Sequence, residues 1–165
     1  RTYLFFDNVH LVKNIRNNLI NAKKFVFPPF MFNVNSNCIP SNAGYISWHD
    51  LHLVHEKDDT VKFELKKAPQ LTQLVLHRGN NKQSVKLALA IFSQSTNSAC
   101  TSYFPGRHDV RGFLKLIHTW WTIVNCRQCY TPNPLGNAII VAEDDRLHFL
   151  DAFAEWLLEW DSNRF

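Results

Sequence analysis

The sequence predicts a mainly α-helical chain, entered through one strand and one helix of an α/β core. Two observations carry this. From Lys82 onward, apolar residues recur at helical spacing through three long segments, separated by turn signals at Pro105-Gly106 and Pro132 to Gly136. The start is different in kind: Tyr3 to Phe6 is a short apolar, aromatic-rich run that reads as a buried strand.

Asp7 follows that run directly and opens a helix in which Val9, Val12, Leu19 and Ile20 supply the apolar positions. Lys13, Asn14, Arg16 and Asn17 are expected on its wet face. A carboxylate at the end of a buried strand points into the crevice where open α/β sheets place their chemistry. It serves equally well as an ordinary helix N-cap.

From Lys23 to Gly44 the pattern breaks. Pro28-Pro29, Pro40 and scattered Asn and Ser predict an extended linker packed down by Phe25, Phe27, Phe30 and Phe32. A domain boundary is expected here, with residues 1–24 on one side and 25–165 on the other. Ser47 is placed to cap a helix from Trp48 to about Lys57, with Asp50 completing a capping box and Asp58-Asp59 ending it. Residues 63–76 fit a short helix or an extended segment equally. Lys82 to Ser98 predicts one buried helix, and Asp109 to Cys126 a second, with Val110, Phe113, Leu114, Ile117, Trp121 and Val124 on one face. The last helix, from about Arg146 to Trp160, is expected to bury Leu147, Leu150, Phe153, Ala154, Leu157 and Leu158.

The chain is 45% hydrophobic, enough for a packed core and far from a disordered composition. Its net charge of +4 suits a polyanion but is too small to identify one. No apolar run reaches the roughly 18 residues of a membrane span, and no signal peptide opens the chain. A start at Arg1, directly on a strand, is expected of a piece of a longer protein. Four cysteines at this length do not make a disulfide framework, so a reducing compartment is expected.

Metal chemistry has weak signals. His49, His52 and His55 fan around a helix, and Cys126-Arg127-Gln128-Cys129 is a lone C-x-x-C, with Cys38 and Cys100 far off in sequence. Glu155 and Glu159 read as the solvated face of the last helix. Lys62, Lys66, Lys67, Arg78, Lys82 and Lys86 cluster, as a plain solvated face or as a phosphate-contacting patch. No G-x-x-x-x-G-K-[ST] loop is present, which excludes a P-loop GTPase, and Asn81-Lys82-Gln83-Ser84 lacks the acid of a guanine-reading N-K-x-D.

The segment Phe6, Asp7, His10, Leu11, Lys13, Asn14, Arg16, Asn17 resembles the D-x-x-H-L-x-K-N-x-R-N element of P-element-type transposases, which include the THAP-domain transposases. Trp48, Leu51 and His55, then Lys67-Ala68-Pro69 with Leu71-Thr72, then Val85, Leu87-Ala88, Ala90 and Phe92-Ser93 follow in that family's order. The resemblance spans nearly the whole chain. It implies a fragment of an RNase H-like core followed by a helical GTP-binding insertion domain, in a nuclear enzyme that cuts and joins transposon-end DNA with Mg²⁺. A homo-oligomer is implied for the parent protein.

By resemblance, Asp7 is the second catalytic aspartate and a Mg²⁺ ligand, and its acidic partners fall outside residues 1–165. The fragment alone is therefore expected to be inactive. Lys67 would approach the ribose and phosphates of GTP, and Val85 and Ser93 would line the phosphate side. Trp121, Thr122 and Asn125 stand at the family's base-holding element, where Thr122 replaces an acid and weakens the expected guanine preference. The alternatives stay open: Trp120 and Trp121 as helix-packing residues, Lys67 as a surface lysine, and a non-catalytic host-adopted relic that binds DNA or protein.

Overall fold

The computed structural model describes residues 7–22, 24–34, 37–77, 79, 81–126 and 132–162. The expected strand at Tyr3 to Phe6 lies outside them. The chain is mainly helical, as expected. It divides into two compact units: residues 1–25 with 46–107, and residues 26–45 with 108–165.

The first unit holds α1 (Asn8–Ala22), α2 (Trp48–Asp59), α3 (Gln73–Leu76), α4 (Val85–Ile91) and α5 (Gln94–Tyr103). Helix α1 packs on α4, α3 lies against α4 and α2, and α2 packs on α5. Val12, Ile15 and Leu19 of α1 and Ala88 and Ile91 of α4 are buried, as are Leu51 and Val54 of α2 and Ala99 and Cys100 of α5. The capping box at α2 forms as expected: Ser47 Oγ accepts from the Asp50 amide, and the Asp50 carboxylate accepts from the Ser47 amide at 2.8 Å.

Two expectations for this unit need correction. Lys13 and Arg16 are not on a wet face; both are buried, Arg16 to 2% exposure. The Lys13 ammonium donates to Gln83 Oε1 at 3.0 Å, and Arg16 Nη2 donates to the Val75 carbonyl at 2.8 Å. Their partners lie some sixty to seventy residues away, and those hydrogen bonds are what make burial tolerable.

The single helix expected over Lys82 to Ser98 is two helices. Ser93 adopts an extended conformation, caps α5 by accepting from the Thr96 amide, and donates to the Ala90 carbonyl at 3.0 Å. Residues 63–76 resolve as a 3-10 turn at Phe63–Leu65, an extended piece, and the short α3.

The second unit corrects the linker expectation. In place of irregular chain there are strands: β1 (Lys24–Phe27), β2 (Phe30–Val34), β3 (Asn37–Ser41) and β4 (Gly44–Ser47). β2 and β3 form an antiparallel hairpin in the register Phe30↔Ser41, Phe32↔Ile39 and Val34↔Asn37. β1 and β4, the strands by which the chain passes from one unit to the other and back, pair separately. Pro28-Pro29 separates β1 from β2 without abolishing strand structure on either side.

Helix α6 (His108–Val124) packs on β3, and α7 (Asp145–Ser162) packs on β2. Helix α6 buries Val110, Phe113, Leu114, Ile117 and Trp120; Trp121 is only half-buried.

The buried face of α7 differs from the expected leucine face. Phe149, Phe153 and Trp156 are the buried residues, whereas Ala154 and Leu158 are exposed and Leu147, Leu150 and Leu157 half-buried. Rings decide this face: Phe153 stacks on Trp120 at 5.7 Å, and Phe30 meets Phe149 and Trp156 edge-on at 5.8 and 6.1 Å. Trp156 Nε1 donates to the Pro28 carbonyl at 3.0 Å. Aromatic rings bury more area per residue than leucine, and the indole finds its polar partner, so this face wins.

Two polar devices complete the unit. Gly44 lies against α6 so closely that a Cβ there would fall 2.4 Å from Asp109 Cβ. The Arg146 guanidinium, buried, pairs with Asp144 and gathers the carbonyls of Pro134, Asn137 and Ala138, holding the 134–138 segment to the start of α7. Ala138 to Val141, expected as a short apolar piece, has no regular structure, and Ile140 is 86% exposed. No described helix is long and apolar enough to cross a membrane.

Candidate functional site

Asp7 sits at the N-cap of α1, its backbone carbonyl accepting from the Leu11 amide. Its side chain is more than half exposed. Oδ1 accepts from the His10 amide at 3.1 Å, and Oδ2 lies 2.6 Å from His10 Nδ1. The hydrogen bond from the His10 ring, joined by that from its amide, holds the carboxyl below the ordinary carboxylate range. Asp7 is therefore an ionised, solvent-facing oxygen donor whose orientation His10 fixes. One carboxylate gives one metal ligand; among the described residues no group of three or more His, Cys, Asp or Glu could hold a metal. A Mg²⁺ centre built on Asp7 would need ligands from beyond those residues.

The same helix turns Lys13, Arg16 and, in part, Asn17 inward, while Asn14 and Asn18 stay exposed. Lys13 holds Gln83, Arg16 holds the carbonyl of Val75, and Asn17 Nδ2 donates to the Lys82 carbonyl at 3.2 Å. Lys13, Arg16 and Asn17 of the K-N-x-R-N part thus fasten α1 to residues 75–83, with Asp7 and His10 at its N-terminal end.

Lys67 is exposed, with its ammonium 5.4 Å above the Tyr103 ring. Beneath it lies Asp58, 2% exposed, which accepts from the amides of Lys67 and Ala68 at 2.8 and 3.0 Å and from the Tyr103 hydroxyl at 2.7 Å. Burial works to raise the Asp58 pKa; the Tyr103 hydroxyl and the two amides overcome it, and the carboxyl titrates below its ordinary value. Burial and the same hydrogen bond push the Tyr103 phenol up to about 12.

Val85 is the first residue of α4 and half-buried. Ser93 stands at the head of α5, where its Oγ also meets the hydroxyls of Ser95 and Thr96 at 3.1 and 3.0 Å. Gln70, three residues after Lys67, donates to Ser95 Oγ at 2.6 Å, so the Lys67 segment and the Ser93 hydroxyls are connected through one side chain. Helix N-termini suit phosphate oxygens, but here the Ser93 hydroxyl already donates to the Ala90 carbonyl and caps the Thr96 amide. Sequence reasoning missed Asp58, Gln70, Ser95 and Tyr103, whose roles depend on contacts up to 45 residues apart.

Trp121, Thr122 and Asn125 belong to the second unit, on and just after α6. Trp121 meets Trp120 edge-on at 6.3 Å and keeps a half-exposed ring. The Thr122 hydroxyl donates to the His118 carbonyl at 2.9 Å, and the Asn125 amide closes the helix on the Trp121 carbonyl. The Asn125 side chain is half-buried.

Of the remaining candidates, His52 packs edge-on to Trp48, and desolvation lowers its pKa. Cys100 is buried and Cys126 half-buried, while Cys129 and Arg78 lie outside the described residues. Glu155 and Glu159 are exposed, as expected. Comparison with protein families, characterised proteins and solved structures gave no match.

Proposed function

We propose that this chain is a piece of a P-element-type, THAP-like DNA transposase. The observation that carries the reading is how the residues of the D-x-x-H-L-x-K-N-x-R-N element are used. Lys13, Arg16 and Asn17 fix α1 from behind, while Asp7 is left ionised, solvent-facing and oriented by His10. That division of labour suits a catalytic carboxylate, which must be rigid and also reachable. Asp7 would supply one Mg²⁺ ligand, and Mg²⁺ when bound would stabilise the charged oxygens of DNA strand cleavage and joining. Transposon-end DNA, a homo-oligomeric parent and a nuclear location belong to the same reading.

GTP is the proposed cofactor. Lys67 offers an exposed ammonium, and Ser93 and Ser95 place hydroxyls at the N-terminus of α5, groups suited to ribose and phosphate; Val85 stands at the opposite end of α4 and is included by the resemblance alone. Trp121, with a half-exposed ring, and Asn125 belong to the second unit, and the resemblance alone assigns them to the base.

A second reading, a non-catalytic transposase-derived module that binds DNA or protein, is favoured by one observation. The Thr122 hydroxyl donates its hydrogen bond to the His118 backbone carbonyl, leaving only a neutral acceptor where the family places a carboxylate for guanine.

Calorimetric titration of the 165-residue chain with GTP and ATP, with and without Mg²⁺, separates the two. Micromolar GTP binding, weaker for ATP and weakened in Lys67→Met and Asn125→Ala, supports the first reading. A folded sample giving no heat with either nucleotide removes the cofactor and leaves the second. Independently, Mn²⁺ should broaden the NMR signals of Asp7 and His10 in the native chain and not in Asp7→Asn.

A further inference from the structure

Charge is divided unevenly between the two units. The first carries thirteen Lys and Arg against six Asp and Glu, the second five against eight. Within the first unit the carboxylates are confined to Asp7 and residues 50–64. Residues 8–24 and 65–107 hold ten Lys and Arg and no Asp or Glu. Those basic segments build α1, α3, α4 and α5; α1 packs on α4 and on the turn at Asn81–Gln83, and α3 packs on α4. Lys82 and Lys86 are exposed there, and the buried Lys13 and Arg16 add to the same positive field from behind. Leu74 of α3 is 55% exposed.

Helix α7 has the opposite sign. After Arg146, which is buried against Asp144, it carries Asp151, Glu155, Glu159 and Asp161 and no Lys or Arg. Asp151, Glu155, Leu158 and Glu159 share one face of the helix, opposite the buried Phe149, Phe153 and Trp156. Leu158, in the middle of that face, is 69% exposed.

We propose that the basic α1–α4 face of the first unit docks on the acidic face of α7 in a second copy of this chain. A free polyanion would satisfy the basic face alone, whereas a second copy occupies both faces. The contact is head to tail, so each copy can hold two neighbours and association continues past the dimer. Complementary charge sets its register and encounter rate, and added salt screens it. The proposal rests on the charge distribution of this chain and needs nothing from the transposase reading.

Sedimentation velocity of the native chain over a range of concentrations, in about 0.05 M and about 0.5 M salt, provides the test. In low salt the average mass should climb with concentration; in high salt it should fall back toward the 19.2 kDa of one chain. Two double variants reverse one face each through exposed side chains: Glu155→Lys with Glu159→Lys, and Lys82→Glu with Lys86→Glu. Each alone should stay monomeric with an unchanged helical dichroism. The second brings the net charge from +4 to zero, where non-specific association rises, so a monomer there is a demanding outcome. Mixing the two variants should restore association, because the untouched basic face of one meets the untouched α7 of the other. A native chain that is monomeric at every concentration in low salt would overturn the proposal, as would association that survives either reversal or fails to return on mixing. A monomeric chain that binds a short DNA duplex through Lys82 and Lys86 would also overturn it, assigning the basic face to a polyanion.

Discussion

Replacing Asp58 by alanine should be among the most damaging single changes in the first unit. Its carboxylate is the acceptor for two amides, Lys67 and Ala68, and for the Tyr103 hydroxyl, in a place water hardly reaches. Deletion strands these donors, the Ala68 amide being fully buried. Each buried unsatisfied group costs about 1–3 kcal/mol, and partial relaxation brings the total to about 3–5 kcal/mol. Asp58→Asn keeps one acceptor oxygen and should cost about half as much.

The acid dependence provides a second reading of the same residue. The folded-state pKa of Asp58 is below its ordinary value, so its contribution is complete above the unfolded pKa and is lost as pH falls through the folded one. Asp58→Asn should therefore flatten the loss of stability below about pH 4. Urea unfolding at pH 7 and at successively lower pH, with amide exchange at residues 67 and 68, measures both effects. A loss under about 1 kcal/mol with both amides still protected would refute the account.

Three further outcomes are expected. Arg146→Met should cost about 2–4 kcal/mol by leaving Asp144 unpaired and four carbonyls without their donor, and amide exchange should rise first over residues 134–138; Asp144→Asn in the same chain should recover part of it. Gly44→Ala should cost about 1–3 kcal/mol through the clash with the Asp109 Cβ, read as a lower urea midpoint, and Asp109→Ala, which keeps that Cβ, should not restore it whereas Asp109→Gly should restore part. Phe153→Ala removes a ring stacked on Trp120, Phe149 and Trp156 and should cost about 3–5 kcal/mol, with a change in near-ultraviolet dichroism.

What the sequence made legible was local. The Ser47–Asp50 capping box is written in four consecutive residues, and the apolar stripe of α6 in its spacing, so both could be read directly. Ser93 also carried a local signal, a strong cap residue within an apolar run, which the surrounding periodicity masked. In β1 and β2 the alternating phenylalanines 25, 27, 30 and 32 were a strand signal overshadowed by two prolines. The inward turn of Lys13 and Arg16 had no local signal at all. Nothing near them in sequence shows that Gln83 and the Val75 carbonyl will receive them. The leucines of α7 equal its aromatics in number, and only the tertiary arrangement of Phe30 and Trp120 shows which face is covered. The pieces of the candidate sites follow the same rule: Asp7 stood out at a helix start, whereas Asp58 and Gln70 became visible only through distant partners.

The two units are interleaved along the chain, and this governs the order in which they can be completed during synthesis. Residues 26–45 leave the ribosome early, yet the helices that cover Phe27 and Phe30 begin at residue 108, and the Pro28 carbonyl waits for a tryptophan 128 residues later. The first unit can close once residue 107 has emerged; the hairpin meanwhile carries uncovered aromatic surface and strand edges that invite self-association. A chain cut after Arg107 would hold every residue of the first unit and still be an aggregation hazard. Excising residues 26–45 as well, with a short bridge between Phe25 and Ile46, is the cut that respects the molecule's own division.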